Sequence, residues 1–288
     1  MIGKLAVIGL GLIGGSYARA LRAAGRVGKI AGYDTDASQC EAARKLGVID
    51  RVSASAAEAA ENADVILLAV PVLHTGEALR AVLPARMDGA LVTDVGSTKQ
   101  SVLAEVAAAC GELPAWFVAG HPIAGTEKSG VANSQADLFR GHRVILTPHP
   151  RQDAQALEKI ASLWRSMGAR VVEMDPAQHD AIFAATSHLP HVLAYSFVDM
   201  LARLDQKHEI FPNAGGGFRD FTRIASSSPQ MWHDIVRANA GSVTHLLEQQ
   251  IEELKEIVKL MKKERWDEIK TLFERARAAR ERYLTQIE

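Results

Sequence analysis

The chain has 288 residues, of which 48% are hydrophobic and 23% are charged, and its formal net charge is −1. That length and composition allow a large core, and they predict two globular domains rather than a disordered chain. A net charge so close to zero excludes a long-range attraction to nucleic acid or to anionic membranes. We therefore expect a small-molecule partner.

The cysteines and the amino terminus indicate the compartment. Cys40 and Cys110 are too few for a disulfide framework and lack the spacing of a metal site, so we expect free thiols in the cytoplasm. The apolar amino terminus is unlike a secretion signal, because Lys4 interrupts it and glycines follow where an apolar helix is needed. No uninterrupted apolar run approaches the roughly 20 residues that cross a bilayer, so no membrane partner is expected.

Short apolar runs alternate with amphipathic segments from residue 1 to about 174, a pattern typical of βαβ units and a parallel sheet. Several runs lack polar alternation, as strands buried on both faces do. We therefore predict an α/β fold that begins with a Rossmann domain, residues 1–174, built on a doubly wound parallel sheet. The predicted strands are 5–9, 30–34, 65–70, 90–94, 116–119, 144–146 and 170–174.

The pattern changes at residue 175. Asp175, Pro176 and Gln178 have the types expected for a helix N-cap, the first helical position and a capping box. All that follows is predicted to be helix or loop, so residues 175–288 are expected to form an all-α substrate and dimerisation domain.

An apolar stripe runs along the predicted carboxyl-terminal helices. Its spacing fits either the packing seam of a helical hairpin or a subunit interface, and its length leads us to expect a homodimer. The first part of the stripe, at spacings of 4, 3, 4 and 3, is Leu247, Ile251, Leu254, Val258 and Met261, and the second part is Trp266, Ile269, Leu272 and Phe273.

The first chemical motif is KLAVIGLGLIGGSYARAL, residues 4–21, which places a GxGxxG pattern between an apolar strand and a helix. Gly9 would permit the tight turn, Gly11 would let the backbone approach a pyrophosphate, and Gly14 would let the helix pack on the strand. The helix N-terminus favours the anion, so Leu12 and Ile13 join the glycines as predicted cofactor contacts. A turn needed only for packing is the structural alternative.

Asp34 ends the second predicted strand, 25 residues after Gly9, where a carboxylate would bind the ribose hydroxyls of the cofactor. No arginine follows it immediately, so the sequence favours NAD over NADP. Asp36 lies two residues further on and is an alternative, either as the ribose partner or as a helix cap.

Four further segments carry polar side chains: TDVGSTK (93–99), GHPIAGTEKSG (120–130), SHLPHVLA (187–194) and GGGFRDFTRIA (215–225). His121 follows a predicted strand and is expected on an exposed loop, at the sheet edge where open α/β folds bind ligands. Over nearly the whole chain these motifs closely resemble those of the prephenate dehydrogenase family, including its arogenate-using relatives.

The resemblance implies that NAD oxidises the ring hydroxyl of prephenate and that the ring carboxylate leaves as carbon dioxide, which yields 4-hydroxyphenylpyruvate for tyrosine biosynthesis. Arogenate, the amino analogue, is the alternative substrate. The resemblance also implies the site residues: His121 accepts the hydroxyl proton, Ser97 hydrogen-bonds the same region, Arg223 binds the dianionic substrate and His191 lines its pocket. A neutral imidazole, with a reference pKa near ~6.5, suits the role of His121 as a base.

Each of these residues also has a structural interpretation. Ser97 could cap the helix that follows it, and Arg223 could form an ion pair with Asp220. His188 and His191 could bond each other or the backbone; as a HxxH pair without a clear third ligand they do not predict a metal site.

Lys99 could neighbour the cofactor, while Glu127 and Lys128 could merely hold the shape of the histidine loop.

Two other kinds of protein are also compatible with the sequence. One is a different Rossmann oxidoreductase with a helical second domain, such as a hydroxyacid dehydrogenase or an imine reductase. The other is a non-catalytic NAD-binding sensor.

Overall fold

The computed structural model describes residues 1–125 and 128–287, so Glu127 of the histidine loop lies outside the described residues. The chain divides into two compact units, Met1–Ala240 and Gly241–Glu288. The first helices after residue 175 thus belong to the same unit as the sheets. The domain boundary between residues 174 and 175 stays a prediction.

A parallel sheet forms the centre of the first unit, with the strand order β3-β2-β1-β4-β5-β6. Its first strand is internal, and the chain builds outward from it on both sides, which is the doubly wound Rossmann arrangement that the sequence predicts. Across the described residues the strands are β1 (Ile2–Ile8), β2 (Val27–Tyr33), β3 (Arg51–Val52), β4 (Val65–Leu68), β5 (Leu91–Asp94), β6 (Phe117–Val118), β7 (Gly120–Pro122), β8 (Arg143–Leu146) and β9 (Arg170–Glu173).

Helices cover the sheet and make up all the regular structure that is described after β9, in agreement with the predicted helical carboxyl-terminal part. A π-helical turn, Ala184–His188, joins α7 to α8. The α-helices of the described residues are α1 (Leu12–Ala23), α2 (Ala37–Lys45), α3 (Ala56–Ala60), α4 (Thr75–Val82), α5 (Gln100–Cys110), α6 (Ala154–Ser166), α7 (Pro176–Phe183), α8 (Leu189–His208), α9 (Gly216–Thr222), α10 (Pro229–Ala238), α11 (Ala240–Lys262) and α12 (Trp266–Ile287).

The last two predicted strands do not join the parallel sheet. They are β8 and β9, which form a second sheet in the order β7-β8-β9, with β7 antiparallel to β8. Where the chain leaves the first sheet after β6, side chains bond the backbone of Gly120: its N–H donates to Asp94 and its carbonyl accepts from Lys99. The expectation that these two strands continue the parallel sheet is therefore wrong.

Both faces of the central sheet are buried, which explains the lack of polar alternation in its strands. Along β1, Leu5 and Val7 belong to one apolar cluster, and Ala6 and Ile8 belong to a second. Successive side chains of a strand point to opposite faces, so the two clusters lie on opposite sides of the sheet. Trp232, from helix α10, is part of the second cluster.

One helical run, Pro176–Asp205, is long and apolar enough to cross a membrane by length and composition alone, with a mean hydropathy of 1.2. Its sequence contains no uninterrupted apolar run of that length. The run contains the buried polar residues His179, Asp180 and His188, and Asp180 accepts hydrogen bonds from the start of α5. These contacts are those of a helix packed within the first unit.

Much of the apolar stripe in the second unit is exposed, whereas its residue Ile269 is buried. Four of its residues on α11, Ile251, Leu254, Val258 and Met261, are between 43% and 50% exposed. A contiguous exposed apolar surface of this kind marks an interaction site.

The three glycines of the first motif have different local geometries. Gly9 has φ +98°, and a Cβ atom there would lie 2.2 Å from the carbonyl oxygen of Ala69. A Cβ on Gly14 would lie 2.1 Å from the carbonyl oxygen of Gly9, so the contact of α1 with the end of β1 requires glycine. A Cβ on Gly11 would meet no atom within 4 Å. The backbone at Gly11 therefore faces open space.

Replacing Gly14 by alanine should destabilise the protein. The obstructing atom is a backbone oxygen that cannot move aside alone, and overpacking of this kind costs about 1–3 kcal/mol. Gly11→Ala is the matched control and should change the free energy of unfolding by less than about 0.5 kcal/mol. Urea unfolding monitored by circular dichroism measures both, and equal stabilities of the two variants would contradict the packing role of Gly14.

Candidate functional site

The loops that follow the parallel strands meet at one edge of the sheet, because the carboxyl ends of parallel strands point the same way. Gly9 follows β1, Asp34 follows β2, Ser97 lies just beyond β5 and His121 lies just beyond β6. Residues far apart in the sequence are thus brought to one edge, as the motifs predict.

Asp34 ties the end of β2 to the glycine turn. Its Oδ2 accepts a hydrogen bond of 2.7 Å from the N–H of Leu10, and its Oδ1 accepts one of 2.9 Å from the N–H of Asp36. Asp36 is the N-cap of α2, where its carboxylate accepts from Ser38 N–H at 2.8 Å. Asp36 therefore has the capping role, and Asp34 is the carboxylate beside the turn.

A cleft of about 360 Å³ lies next to Asp34. The Ser53 side chain in its wall is buried, and its hydroxyl has no hydrogen-bond partner among the described residues. Together with the open space at Gly11, which is the N-cap of α1, this cleft fits the adenosine and pyrophosphate parts of a dinucleotide. Its lining is Tyr33, Asp34, Thr35, Ala37, Cys40, Glu41, Arg44, Val52, Ser53 and Ala54.

Ser97 is half-buried in the loop between β5 and α5, and it does not cap α5. The backbone amides of Lys99 and Gln100, at the start of that helix, donate instead to the carboxylate of Asp180, at 2.7 and 2.9 Å. Within the described residues the Ser97 hydroxyl makes no hydrogen bond, which leaves it available to a ligand. The capping interpretation of Ser97 is wrong, because α7 supplies the cap.

Lys99 is fully buried and joins the loops that follow β5 and β6. Its Nζ donates to Asp94 Oδ2 at 2.5 Å and to the carbonyl of Gly120 at 2.7 Å. Burial lowers the pKa of Lys99, and the Asp94 carboxylate opposes that effect. Since Gly120 precedes His121, the contacts of Lys99 are structural: they fix the backbone that carries the histidine.

His121 lies in β7 and is half-buried, so the expectation of an exposed loop is wrong. Pairing of β7 with β8 orders this segment. The Nδ1 atom of His121 lies 2.9 Å from Nε2 of His179, and Nδ1 of His179 lies 2.8 Å from Oδ1 of Asp180. The ring of Phe183 packs against both imidazoles, with centroid distances of 4.9 and 4.6 Å.

The electrostatics keep this histidine pair neutral. Burial lowers the pKa of His121 well below its ordinary value, and the charges of His179, Lys99 and His188 lower it further. Burial also lowers the pKa of His179, although its hydrogen bond to Asp180 opposes the shift. A neutral imidazole beside the cofactor edge is suited to accept a proton.

His188 and His191 do not bond each other, contrary to one interpretation of the sequence. His191 Nδ1 lies 2.8 Å from the carbonyl oxygen of Ser187, and its ring stacks on Trp232 with the centroids 3.4 Å apart. His188 Nδ1 lies 3.2 Å from Nδ2 of Asn239. The described residues include no group of three side chains that could hold a metal ion.

Arg223 is exposed at the end of α9 and lines a cavity of about 370 Å³. Asp220 lies 3.8 Å from Arg219, and no ion pair joins Asp220 to Arg223 among the described residues. Burial lowers the pKa of His191, its hydrogen bond with the Ser187 carbonyl opposes that shift, and the charge of Arg223 lowers the pKa further. The cavity is lined by Phe211, Ala214, Gly215, Phe218, Arg219, Thr222, Arg223 and Ser226.

Three residues of the site were not assigned a functional role from the sequence. His179 and Asp180 were not singled out, and Lys99 was considered only as a neighbour of the cofactor. Aside from the five-residue spacing of Asp94 and Lys99 within one motif, no local signal links these side chains. Their contacts arise from the packing of α7 against α5 and β7.

A doubly wound sheet with a dinucleotide-type glycine turn, beside a neutral, half-buried histidine, defines an oxidoreductase of the nicotinamide dinucleotide class. The comparisons with known proteins agree. A family model described as the prephenate dehydrogenase nucleotide-binding domain matches residues 17–173, and one described as the prephenate dehydrogenase dimerization domain matches residues 175–275.

Individual relatives match over most of the chain. A prephenate dehydrogenase of Bacillus subtilis is 40% identical over 253 residues, 86% of this chain and 67% of the relative. A cyclohexadienyl dehydrogenase of Zymomonas mobilis is 38% identical over 256 residues, 88% of this chain and 86% of the relative. The crystal structure of prephenate dehydrogenase from Aquifex aeolicus in complex with hydroxyphenyl propionate and NAD⁺ has a TM-score of 0.91 at 36% identity, covering 97% of this chain and 98% of that one. The chain therefore belongs to the prephenate dehydrogenase family of NAD-dependent oxidoreductases.

The buried histidines predict that acid destabilises the fold. In the unfolded chain a histidine titrates near ~6.5, whereas burial lowers the pKa of His188 to about 4, and those of His121 and His179 are also lowered. Below pH ~6.5 the unfolded state therefore binds more protons, so stability falls as the pH falls. For His188 alone the loss by pH 5 is about 2 kcal/mol. Urea unfolding between pH 5 and 8 measures it, and a constant free energy of unfolding across that range would contradict the prediction.

Proposed function

We propose that this protein oxidises prephenate with NAD and releases the ring carboxylate as carbon dioxide, so that 4-hydroxyphenylpyruvate is formed for tyrosine biosynthesis. One observation carries the proposal: a neutral His121 lies at the same sheet edge as the glycine turn and Asp34. A base at that edge is what oxidation of a hydroxyl-bearing carbon requires. Arogenate, which has an amino group in place of the side-chain keto group, is the alternative substrate.

NAD, when bound, accepts a hydride from the substrate. The residues that would hold it are those of the turn and of the next strand. The backbone at Gly9, Gly11 and Gly14 gives the pyrophosphate room at the start of α1, where Leu12 and Ile13 contribute the helix N-terminus. Asp34 would accept the ribose hydroxyls. Its two oxygens each accept one backbone N–H, and a carboxylate has about four acceptor positions, so two remain.

In the proposed reaction the proton of the ring hydroxyl passes to Nε2 of His121 as the hydride leaves the same carbon, and a carbonyl forms there. The bond between the ring and its carboxylate then breaks, and its electron pair enters the ring, which becomes an aromatic phenolate as carbon dioxide departs. The phenolate oxygen takes back the proton from His121. The free hydroxyl of Ser97 would donate a hydrogen bond to that same oxygen.

The substrate carries two carboxylates, and the cavity at Arg223 is suited to at least one of them. Arg219 lines the same cavity, so two guanidinium groups flank it. A guanidinium binds a carboxylate through two parallel hydrogen bonds. His191, held by its stacking on Trp232, would line the pocket with its Nε2 atom.

We also propose how the activity is distributed along the chain. Residues 1–174 would bind NAD, and residues 175–288 would complete the substrate site and form a homodimer in the cytoplasm through the exposed stripe on α11. The half-exposed apolar side chains of that stripe support an interface, and the free thiols Cys40 and Cys110 suit a reducing compartment. Light scattering at micromolar concentration tests the dimer.

The first test is to incubate the purified protein with NAD and either prephenate or arogenate and to follow reduced nicotinamide by its absorbance. We expect turnover of at least one substrate. His121→Asn should lower kcat by roughly 10²- to 10⁴-fold, because the proton acceptor is lost. His142→Asn, at an exposed histidine outside the site, is the control. NAD binding without turnover of either substrate would instead favour the sensor interpretation.

The second test concerns Arg223. Arg223→Ala should weaken substrate affinity by about 10- to 150-fold, since hydrogen bonds to charged groups contribute roughly 1.5–3 kcal/mol. Arg223→Lys should weaken it less, because lysine keeps the charge but not the paired geometry. NAD affinity and melting temperature, measured on the same preparations, should barely change. Normal KM values with a lowered melting temperature would assign Arg223 a structural role only.

A further inference from the structure

Two buried residues next to the catalytic histidine have no role in the reaction as proposed. His179 and Asp180 lie on α7, 58 and 59 residues after His121 in the chain, and both are almost fully buried. We propose that they are positioning residues, which hold His121 in the tautomer that leaves its Nε2 atom free to accept a proton. This inference rests on the proposed role of His121 as the base.

The carboxylate of Asp180 determines which atom of His179 carries a hydrogen. Its Oδ1 accepts a hydrogen bond from the amide of Lys99 at 2.7 Å, and its Oδ2 accepts one from the amide of Gln100 at 2.9 Å. These two donors hold it as an anion, and an ionised carboxylate can only accept hydrogen bonds. The Nδ1 atom of His179, 2.8 Å from Oδ1, must therefore carry the hydrogen.

The next link is the contact between the two imidazoles. A neutral His179 with its hydrogen on Nδ1 has a lone pair on Nε2. That atom lies 2.9 Å from Nδ1 of His121, so Nδ1 of His121 must donate. A neutral imidazole carries one hydrogen, and Nε2 of His121 is then the unprotonated atom. Without this partner the ring would be free to adopt the other tautomer.

The competing arrangement is a doubly protonated His179, which would donate to His121 and force the hydrogen of His121 onto Nε2. The surroundings disfavour it. Burial is the largest influence on His179 and lowers its pKa, and the buried ammonium of Lys99 adds to that effect, while Asp180 and Asp94 oppose it. His121 itself faces His179, Lys99 and His188, all of which disfavour additional positive charge.

The same chain of contacts would help in the proton transfer. When His121 accepts the hydroxyl proton, its ring becomes an imidazolium that still donates through Nδ1 to His179. The His179 ring is in turn bonded to the Asp180 carboxylate. The negative charge of that carboxylate stabilises the positive charge on the His121 ring. Packing of Phe183 against both rings keeps their relative orientation.

The direct test reads the tautomer without turnover. Protein labelled with ¹⁵N in histidine is studied by long-range ¹H–¹⁵N correlation at pH 7.5, with His121→Asn used for assignment. We expect the hydrogen of His121 on Nδ1 in the wild type and a shift toward Nε2 in His179→Phe, which keeps a ring but removes the acceptor. His179→Gln, whose amide can still accept from His121, should retain the wild-type tautomer.

The control is His149→Phe, at a buried histidine near Pro114 and Phe117, at the amino end of β6 and away from the site. It should leave the His121 signals unchanged. A wild-type His121 protonated on Nε2, or a tautomer that does not respond to His179→Phe, would overturn the proposal. This readout stands even if the enzyme turns over neither candidate substrate, so it separates failure of the positioning role from failure of the proposed function.

Kinetics give the second readout in an enzyme that is active. His179→Phe should lower kcat by about 10²-fold with little change in KM, because the histidine that binds and reacts is present in the wrong tautomer. His179→Gln should recover most of that loss. The acid limb of the pH profile of kcat should also shift in His179→Phe, because the phenylalanine ring that would face His121 does not titrate. A uniform loss in both variants that follows melting temperature would indicate a purely structural role.

Discussion

The carboxylate of Asp180 accepts hydrogen bonds from three donors that belong to two different parts of the fold. Two are the amides of Lys99 and Gln100, at the start of α5, and the third is the ring of its neighbour His179. The carboxylate thus replaces an N-cap for α5 and at the same time fixes the angle at which α7 meets the sheet edge. The position of His179, and through it the orientation of His121, depends on this one group.

A second buried ion contributes to the same arrangement. The ammonium of Lys99 bonds the Asp94 carboxylate and the Gly120 carbonyl, so the loops after β5 and β6 cannot move independently. Burying such a pair adds little net stability, yet removing one partner leaves an unpaired charge and is costly. The pair is best understood as a constraint on the geometry of the two loops. In addition, the positive charge of Lys99 disfavours protonation of His121 and His179.

In the proposed mechanism the base is therefore held rigidly, whereas the substrate region is more open. His121 is held by β7, by His179 and by Phe183, whereas Arg223 is exposed at the end of a short helix, beside a cavity. This division suits a reaction in which the proton acceptor must be placed accurately while a dianionic substrate enters and its product leaves. The acid sensitivity that the buried histidines impose on the fold follows from keeping the base neutral.

The sequence by itself determined the features whose causes are local. The glycine turn, the end of β2 beside Asp34 and the start of α7 at Pro176 all follow from backbone freedom, from apolar periodicity or from capping residues within a few positions of one another. The roles proposed for Ser97, His121, His191 and Arg223 come from motifs that resemble those of the family. Tertiary structure alone decided that β8 and β9 leave the parallel sheet, that Asp180 rather than Ser97 caps α5, and that His179 bonds His121. Those contacts join residues about 60 to 80 positions apart, and such pairings depend on how helices and sheets pack, which no local pattern of residues encodes.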